Sequence, residues 1–261
     1  MGFLTDLVDD LRRRLERDPL DESSLMARAM QLSPPRPFEE ALRGATPPAV
    51  IAEFKRSSPS AGEIAEPDLS TQVRKYRAGG AVAISVLTEP TRFDGSLTDV
   101  RAARLAAPLP VLRKDFLVHP AQVIESRATG ADAVLLISAA LTELELKGML
   151  AVADDLGLDA LVEAHSEEDL AKVLTTDAGV VGVNARDLET LELDLERALA
   201  LVPLVPRDRV AVLESGVSTR EHVERALDAG ASAVLVGETL MRAADPGATI
   251  RELRGDGDGP R

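Results

Sequence analysis

The chain has 261 residues, of which 45% are apolar and 28% charged, a composition typical of a globular domain with a sizeable core. Its net charge of −14 disfavours nucleic acid and anionic membranes as partners. There is no cysteine, which excludes thiol nucleophiles, disulfides and thiolate metal sites, and the three histidines (His119, His165 and His222) are too scattered to suggest zinc.

The first 48 residues predict a helical extension. Apolar residues recur at helical spacing over 4–17, and further helices are expected over 22–31 and 37–43. The N-terminus is acidic and has no signal-peptide pattern, and no apolar run approaches the ~20 residues that a membrane span requires. We therefore expect a cytoplasmic protein with no membrane segment.

Short apolar runs follow, and each predicts a β-strand. They are nearly continuous in Val, Leu, Ile and Ala, as is typical of parallel strands that are buried on both faces. The runs cover 49–54, 81–87, 109–114, 132–138, 159–164, 179–184, 210–215 and 231–237.

Amphipathic segments separate these runs and predict helices. In one of them, Ser218 and Glu221 have the spacing of a capping box. Eight alternating strands and helices predict a single (β/α)₈ TIM barrel over 49–253. A doubly wound open sheet is the alternative, but the chain lacks the G-x-G-x-x-G motif that often accompanies it. Residues 254–261 have no apolar side chain beyond one proline and predict a disordered tail.

Charged residues stand where three of these strands end. Lys55 directly follows the first run, Lys114 is the last residue of the third, and Glu163 lies near the end of the fifth, as Glu53 does in the first. Active sites of such barrels lie at the carboxyl ends of the strands. A buried carboxylate is costly unless it is paired, so the lysines are expected to pair with these glutamates in an acid–base site. A purely structural ion-pair cluster remains the alternative.

Glycine turns after the seventh and eighth strands predict a phosphate site. Gly216 and Gly237 each stand between a strand and a helix, where backbone N–H groups can bind an anion. Glu238 suits that site only if its side chain points away.

Phe93 and Phe116 suggest a wall for an aromatic ligand, although Phe93 could simply anchor its loop. His119 and His165 are interpreted as loop or cap residues.

Taken together, the motifs resemble those of the indole-3-glycerol phosphate synthase family, collinearly over about 49–253. The resemblance implies a carboxy-lyase of tryptophan biosynthesis. Its reaction converts 1-(2-carboxyphenylamino)-1-deoxyribulose 5-phosphate into indole-3-glycerol phosphate, CO₂ and water, without cofactor or metal. The motifs are 51–60 (IAEFKRSSPS), 85–96 (SVLTEPTRFDGS), 111–116 (VLRKDF), 161–163 (LVE), 182–188 (GVNARDL), 214–216 (ESG) and 236–238 (VGE).

The resemblance also implies roles for individual residues. Lys114 matches the general acid, Glu163 the acid–base group of the dehydration, and Lys55 the lysine that contacts the substrate carboxylate. How the two lysines divide the acid role stays open. Further catalytic-site residues implied are Glu53, Asn184, Glu214 and Ser215. The implied substrate and phosphate contacts are Ser58, Arg186, Gly216, Gly237 and Glu238, and the implied anthranilate pocket consists of Phe93, Phe116, Leu135 and Leu188.

Three positions depart from the family pattern without removing a catalytic group. Ala185 stands where many members have Asn, Glu238 where some have Ser, and His119 where Asp is common. Two other functions fit the sequence less well. Phosphoribosylanthranilate isomerase has a similar fold, but its usual catalytic pair includes a cysteine. A non-catalytic barrel that binds phosphosugars or a partner enzyme would not need the set of two lysines and Glu163. A monomer or weak homodimer acting on a small-molecule phosphosugar–anthranilate substrate is expected.

Overall fold

The computed structural model describes residues 2–59, 62–64 and 67–256. Eight parallel strands form a closed barrel, in which each strand pairs with its neighbours in the chain and the first closes on the eighth. This confirms the (β/α)₈ prediction and rules out the open sheet. In chain order, and numbered first to eighth, the strands are Ala49–Phe54, Ala83–Leu87, Val111–Lys114, Ala133–Ile137, Asp159–Ala164, Val180–Asn184, Val210–Glu214 and Ala233–Val236.

Helices precede the barrel and connect its strands. A short antiparallel pair, Ser57–Ser58 with Gly62–Glu63, follows the first strand, and 3₁₀ turns occur at Ser138–Ala140 and Val202–Leu204. The helices are α1 (Phe3–Arg17), α2 (Glu22–Ala29), α3 (Phe38–Arg43), α4 (Leu69–Ala78), α5 (Leu97–Ala106), α6 (Pro120–Thr129), α7 (Glu143–Asp155), α8 (Glu167–Leu174), α9 (Leu195–Leu201), α10 (Arg220–Ala229), α11 (Glu238–Arg242) and α12 (Pro246–Arg254).

The strands are buried almost throughout, because their apolar side chains face either the barrel interior or the surrounding helices. Several begin one or two residues later than predicted, as at the third strand, where Pro110 has no N–H to donate to a ladder. The register places Asn184 beside Glu214, and Glu163 beside Gly182. Polar residues of neighbouring strands therefore converge at the carboxyl end of the barrel.

The N-terminal extension covers both ends of the barrel. Helix α1 buries Leu4, Leu7 and Leu11, and its first N–H groups, of Phe3 and Leu4, donate to carbonyls in the loop after the sixth strand. This holds the start of α1 at the mouth. Helix α3, with Phe38 fully buried, sits at the opposite end, so the extension packs as part of the barrel.

Two buried or half-buried aspartates anchor the extension at the amino-terminal end of the strands. Asp132 is fully buried, accepts hydrogen bonds from the backbone N–H groups of Arg36 (2.6 Å) and Val111 (2.9 Å), and forms an ion pair with Arg104. Asp159 accepts the backbone N–H of Phe38 at 2.6 Å. Charges at this end of a TIM barrel serve stability, in contrast to those at the mouth.

Two details of the helix ends differ from the sequence-based predictions. Helix α10 is capped by Thr219, whose hydroxyl accepts the N–H of His222, so the predicted capping box of Ser218 and Glu221 is wrong by one position. Helix α12 continues to Arg254, the first residue of the predicted tail, and 257–261 lie outside the described residues.

Among the described helices, none combines the length and apolar character that crossing a bilayer requires.

Candidate active site

A cavity of about 360 Å³ opens at the carboxyl ends of the strands. Every residue predicted from the sequence to belong to the site lines it, which places them in one chamber but does not by itself assign their roles. They are Glu53, Lys55, Ser58, Phe93, Lys114, Phe116, Leu135, Glu163, Asn184, Arg186, Leu188, Glu214, Ser215, Gly216, Gly237 and Glu238.

Lys114 stands between two buried carboxyl groups. Its Nζ lies 3.5 Å from Oε2 of Glu163 and 3.6 Å from Oε2 of Glu214. Burial alone would lower the pKa of Lys114, but the surrounding carboxyls outweigh that effect and raise it. Lys114 is therefore a fully charged ammonium that can donate a proton to, or stabilise, a developing oxyanion.

Glu163 is the anionic partner of Lys114. It is fully buried, and its Oε1 accepts a hydrogen bond from Nδ2 of Asn184 at 3.0 Å. Burial alone would raise the pKa of Glu163, but Lys114, assisted by His165 and Asn184, holds it well below the ordinary value. The carboxylate is thus ionised and available to accept a proton.

Glu214 is the carboxyl that retains its proton most tightly. Burial and the neighbouring Glu163 raise its pKa well above the ordinary value, although Lys114 acts in the opposite direction. Two like carboxyls on one lysine cannot both ionise cheaply, which is how enzymes separate an acid from a base. Neither oxygen of Glu214 has a hydrogen-bond partner among the described residues. Room for this side chain comes from Gly182, where a Cβ would lie 2.1 Å from Oε1 of Glu214.

Lys55 forms a second ion pair at the mouth. Its Nζ lies 3.1 Å from Oε1 of Glu53, a nearly buried carboxyl on the first strand. Gly237 makes this packing possible, because a Cβ there would lie 2.2 Å from the same Oε1. The two lysines thus face three carboxyl groups, Glu53, Glu163 and Glu214, of which Glu214 has the raised pKa.

The two glycine turns form one continuous end of the cavity. Ser215 has φ +63°, an uncommon value for a residue with a side chain and one that occurs preferentially at functional sites. Gly216 follows with φ +75°, so the backbone of this turn faces the cavity with few side-chain atoms. The hydroxyl of Thr239 donates to the carbonyl of Val217 at 3.1 Å and joins the two turns.

The side chain of Glu238 is engaged by an arginine. Its Oε1 accepts from Nε of Arg242 at 3.0 Å, one turn further along α11, and both side chains are substantially exposed. The pairing compensates the charge that made Glu238 an awkward neighbour for phosphate. Arg186 donates to the carbonyl of Leu191 at 2.8 Å, which fixes its guanidinium beside the same end of the cavity.

An aromatic wall forms the opposite end. The rings of Phe93 and Phe116 have centroids 6.0 Å apart, and Phe3 contacts Phe116 edge-on at 6.3 Å. Leu135 and Leu188 complete the apolar lining. Phe3 was missed by sequence reasoning, since nothing before the fold was known placed the start of α1 at the mouth. The scarcity of aromatics, 2% of the chain, was the available signal.

His165 was also underestimated. It is buried, and its Nε2 lies 2.8 Å from Oε1 of Glu163. His119, in contrast, caps α6 as expected, since its Nδ1 accepts the N–H of Ala121. Ala185, one of the departures from the family pattern, is fully buried and is not itself one of the residues that line the cavity. Within the described ranges, no cluster of three His, Asp or Glu side chains is arranged to hold a metal ion.

Solved structures of known proteins share the barrel. A thiamine phosphate pyrophosphorylase from Pyrococcus furiosus superposes with a TM-score of 0.59 at 19% identity, covering 80% of this chain and 94% of the other. A 3-hexulose-6-phosphate synthase superposes with a TM-score of 0.62 at 17% identity, covering 79% and 98%. At such identities the likeness shows the fold alone.

Sequence comparisons are more specific. The family model of indole-3-glycerol phosphate synthase matches residues 4–253. A curated protein of that name from Micrococcus luteus is 46% identical over 261 residues, covering 97% of each chain. Another, from Leifsonia xyli subsp. xyli, is 48% identical over 250 residues, covering 95% of each. Since the match spans both the extension and the barrel, the chain belongs to the indole-3-glycerol phosphate synthase family.

Proposed function

We propose how the residues of the cavity divide the work of this family's reaction, the conversion of 1-(2-carboxyphenylamino)-1-deoxyribulose 5-phosphate into indole-3-glycerol phosphate, CO₂ and water. The observation that carries the proposal is a single ammonium, Lys114, between one carboxyl of lowered pKa and one of raised pKa. These three neighbouring groups can supply an acid (Lys114), a base (Glu163) and a second proton donor (Glu214).

The two ends of the cavity orient the substrate. The aromatic wall of Phe3, Phe93 and Phe116 suits the carboxyphenyl ring, and the glycine turns at Gly216 and Gly237 suit the phosphate. The ketone carbon lies between these groups in the substrate and would therefore face the centre of the cavity, where Lys114 is placed.

Ring closure requires a proton at the ketone oxygen. As the ring carbon that bears the carboxylate attacks the ketone carbon, the C–C bond forms and Lys114 protonates the oxygen. Loss of CO₂ then returns the electron pair to the ring and restores its aromaticity. Lys55, which lies across the mouth and pairs only with Glu53 among the ion pairs of the described residues, is placed to hold the substrate carboxylate until it leaves.

Dehydration requires one proton to be added and one to be removed. Glu214 donates its proton to the departing hydroxyl, which leaves as water. Glu163 removes a proton from the carbon adjacent to the one that bore the hydroxyl. Transfer of that proton from Glu163 to Glu214 restores both groups. The overall reaction consumes one proton, because a carboxylate is replaced by neutral CO₂, and solvent returns this proton to Lys114.

The pairing pattern favours Lys114 over Lys55 as the acid. Lys114 contacts the base of the dehydration directly, whereas Lys55 is tied to Glu53. All groups in this scheme lie on one chain, so a single subunit would contain the whole site, and a monomer or weak homodimer remains a prediction of the sequence. A cytoplasmic location remains a prediction of the sequence.

Purified protein incubated with the carboxyphenylamino-deoxyribulose phosphate should produce indole fluorescence. Folded protein that binds the substrate without turning it over would contradict the proposal and favour the non-catalytic phosphosugar-binding barrel instead. The isomerase alternative lacks its usual cysteine, since the chain has none.

A further inference from the structure

His165 lies next to the carboxylate to which the proposed mechanism gives the base role. It follows the fifth strand two residues after Glu163, so the two side chains project to the same side of the strand. His165 is 7% exposed, and Nε2 of its ring lies 2.8 Å from Oε1 of Glu163. The mechanism described above makes no use of it.

The other surroundings of His165 do not account for its burial. Nδ1 lies 3.9 Å from Oδ2 of Asp169, too far for a hydrogen bond, and that oxygen instead accepts the backbone N–H of His165 at 3.2 Å. Among the described residues, neither ring nitrogen makes a hydrogen bond of good geometry. Buried polar groups without partners are rare and often functional. The close approach to Glu163 is thus the main polar contact of the ring.

The two oxygens of Glu163 face different neighbours. Oε1 is approached by Asn184 and His165, at 3.0 Å and 2.8 Å, whereas Oε2 faces Lys114 at 3.5 Å. Because Oε1 already accepts from Asn184 and has the imidazole beside it, we expect Oε2 to be the oxygen that accepts a proton from the substrate.

We propose that His165 is a positioning residue for Glu163. Its Nε2–H and the amide of Asn184 together hold Oε1, and this fixes the carboxylate with Oε2 towards the substrate and Lys114. The inference rests on the proposed role of Glu163 in the dehydration. It extends that role by naming a residue that never touches the substrate but sets the direction of proton transfer.

Three substitutions of His165 distinguish a role as hydrogen-bond donor to Glu163 from a role in filling the buried space. His165→Gln can place an amide N–H near the position of Nε2, His165→Asn places one near Nδ1 instead, and His165→Leu fills the space without a donor. His119→Asn is the matched control, because it makes the same chemical change at an exposed helix cap outside the cavity and keeps a capping side chain.

Steady-state kinetics with the family substrate and melting temperatures provide the readouts. We expect His165→Leu and His165→Asn to lower kcat by about 10- to 100-fold, the range expected for a displaced reacting group, with KM within about twofold. His165→Gln should retain kcat within about threefold of the wild-type value, and His119→Asn should match wild type.

Several results would overturn the inference while leaving the proposed function intact. They are an active His165→Leu variant, an equal loss in the Gln and Asn variants, or a loss confined to KM. If His165→Leu fails to fold, the comparison of Gln with Asn decides alone, since both are polar amides. An inactive wild-type protein would contradict the proposed function instead, so the two failures are distinguishable.

Discussion

Replacing Lys114 by Met tests the electrostatics of the site through stability. The substitution keeps an unbranched side chain of similar length but removes the ammonium that lies 3.5 Å from the fully buried Glu163. Breaking a buried ion pair by removing one partner costs about 3–5 kcal/mol if the remaining charge persists. For a domain of this length, that corresponds to a drop in melting temperature of about 6–20 °C.

The stability lost in Lys114→Met should depend on pH, because protonation of Glu163 removes its uncompensated buried charge. In the wild type the pKa of Glu163 is lowered, so its contribution to stability is present above the unfolded-state pKa and is lost as pH falls. Without Lys114, burial dominates and the pKa rises above the unfolded value of about 4.3. The folded state then binds more protons than the unfolded state, so stability declines as pH increases. Each unit of upward shift corresponds to about 1.4 kcal/mol.

Melting curves followed by circular dichroism at pH 5 and pH 8 provide the assay. Lys147→Met is the control, since Lys147 pairs with Glu143 on the exposed face of α7, where an ion pair contributes at most about 1 kcal/mol. We expect the destabilisation of Lys114→Met, relative to wild type, to be larger at pH 8 than at pH 5, and that of Lys147→Met to be small at both. A Lys114→Met variant as stable as the control, or one destabilised more at pH 5, would refute the reasoning.

Three further substitutions test other parts of the structure. Glu214→Gln replaces a carboxyl of raised pKa by a neutral amide. Its stability at pH 7, measured by thermal melts, should change by less than about 1 kcal/mol. Its kcat, measured in turnover assays, should fall by about 10²- to 10⁴-fold. Asp132→Ala removes the buried carboxylate that pairs with Arg104 and accepts two backbone N–H groups. The free energy of unfolding should therefore fall by about 3–5 kcal/mol in urea titrations, with kcat nearly unchanged because Asp132 lies at the opposite end of the barrel from the site. Phe3→Ala removes one ring of the wall that is proposed to hold the carboxyphenyl ring of the substrate. If that ring contributes an aromatic contact of about 0.5–1.5 kcal/mol to substrate binding, KM should rise by about 2- to 13-fold with little change in kcat.

Much of the barrel was predictable because its signals are local. Each strand is a short apolar run, and the charges that end these runs, such as Lys55 and Lys114, must lie at the carboxyl end once the strands are parallel. The resemblance to the family then supplied residues whose own sequence signal is weak, such as Leu135 and Leu188. The structure adds that these side chains share one cavity.

The features that were missed depend on contacts between distant segments. Phe3 joins the aromatic wall only because the first N–H groups of α1 bond to the loop after the sixth strand. In the sequence, Gly182 looks like any other strand residue. Only the fold shows that the side chain of Glu214, on the neighbouring strand, packs against it. Glu163 and Glu214 look equivalent in sequence, and their pKa values separate only through burial and shared contact with Lys114. The capping box failed for a local reason, since Ser218 and Thr219 are adjacent candidates for the same cap.

The central claim is that Lys114 donates the proton of ring closure within the cluster of Glu163 and Glu214. Its most direct test is a rapid-mixing experiment in which excess enzyme binds the carboxyphenylamino-deoxyribulose phosphate and indole formation is followed in a single turnover. We predict that Lys114→Met binds the substrate with a Kd within about threefold of wild type but forms indole at least about 10²-fold more slowly, while Lys147→Met behaves as wild type. Indole formation by Lys114→Met at the wild-type rate would contradict the claim.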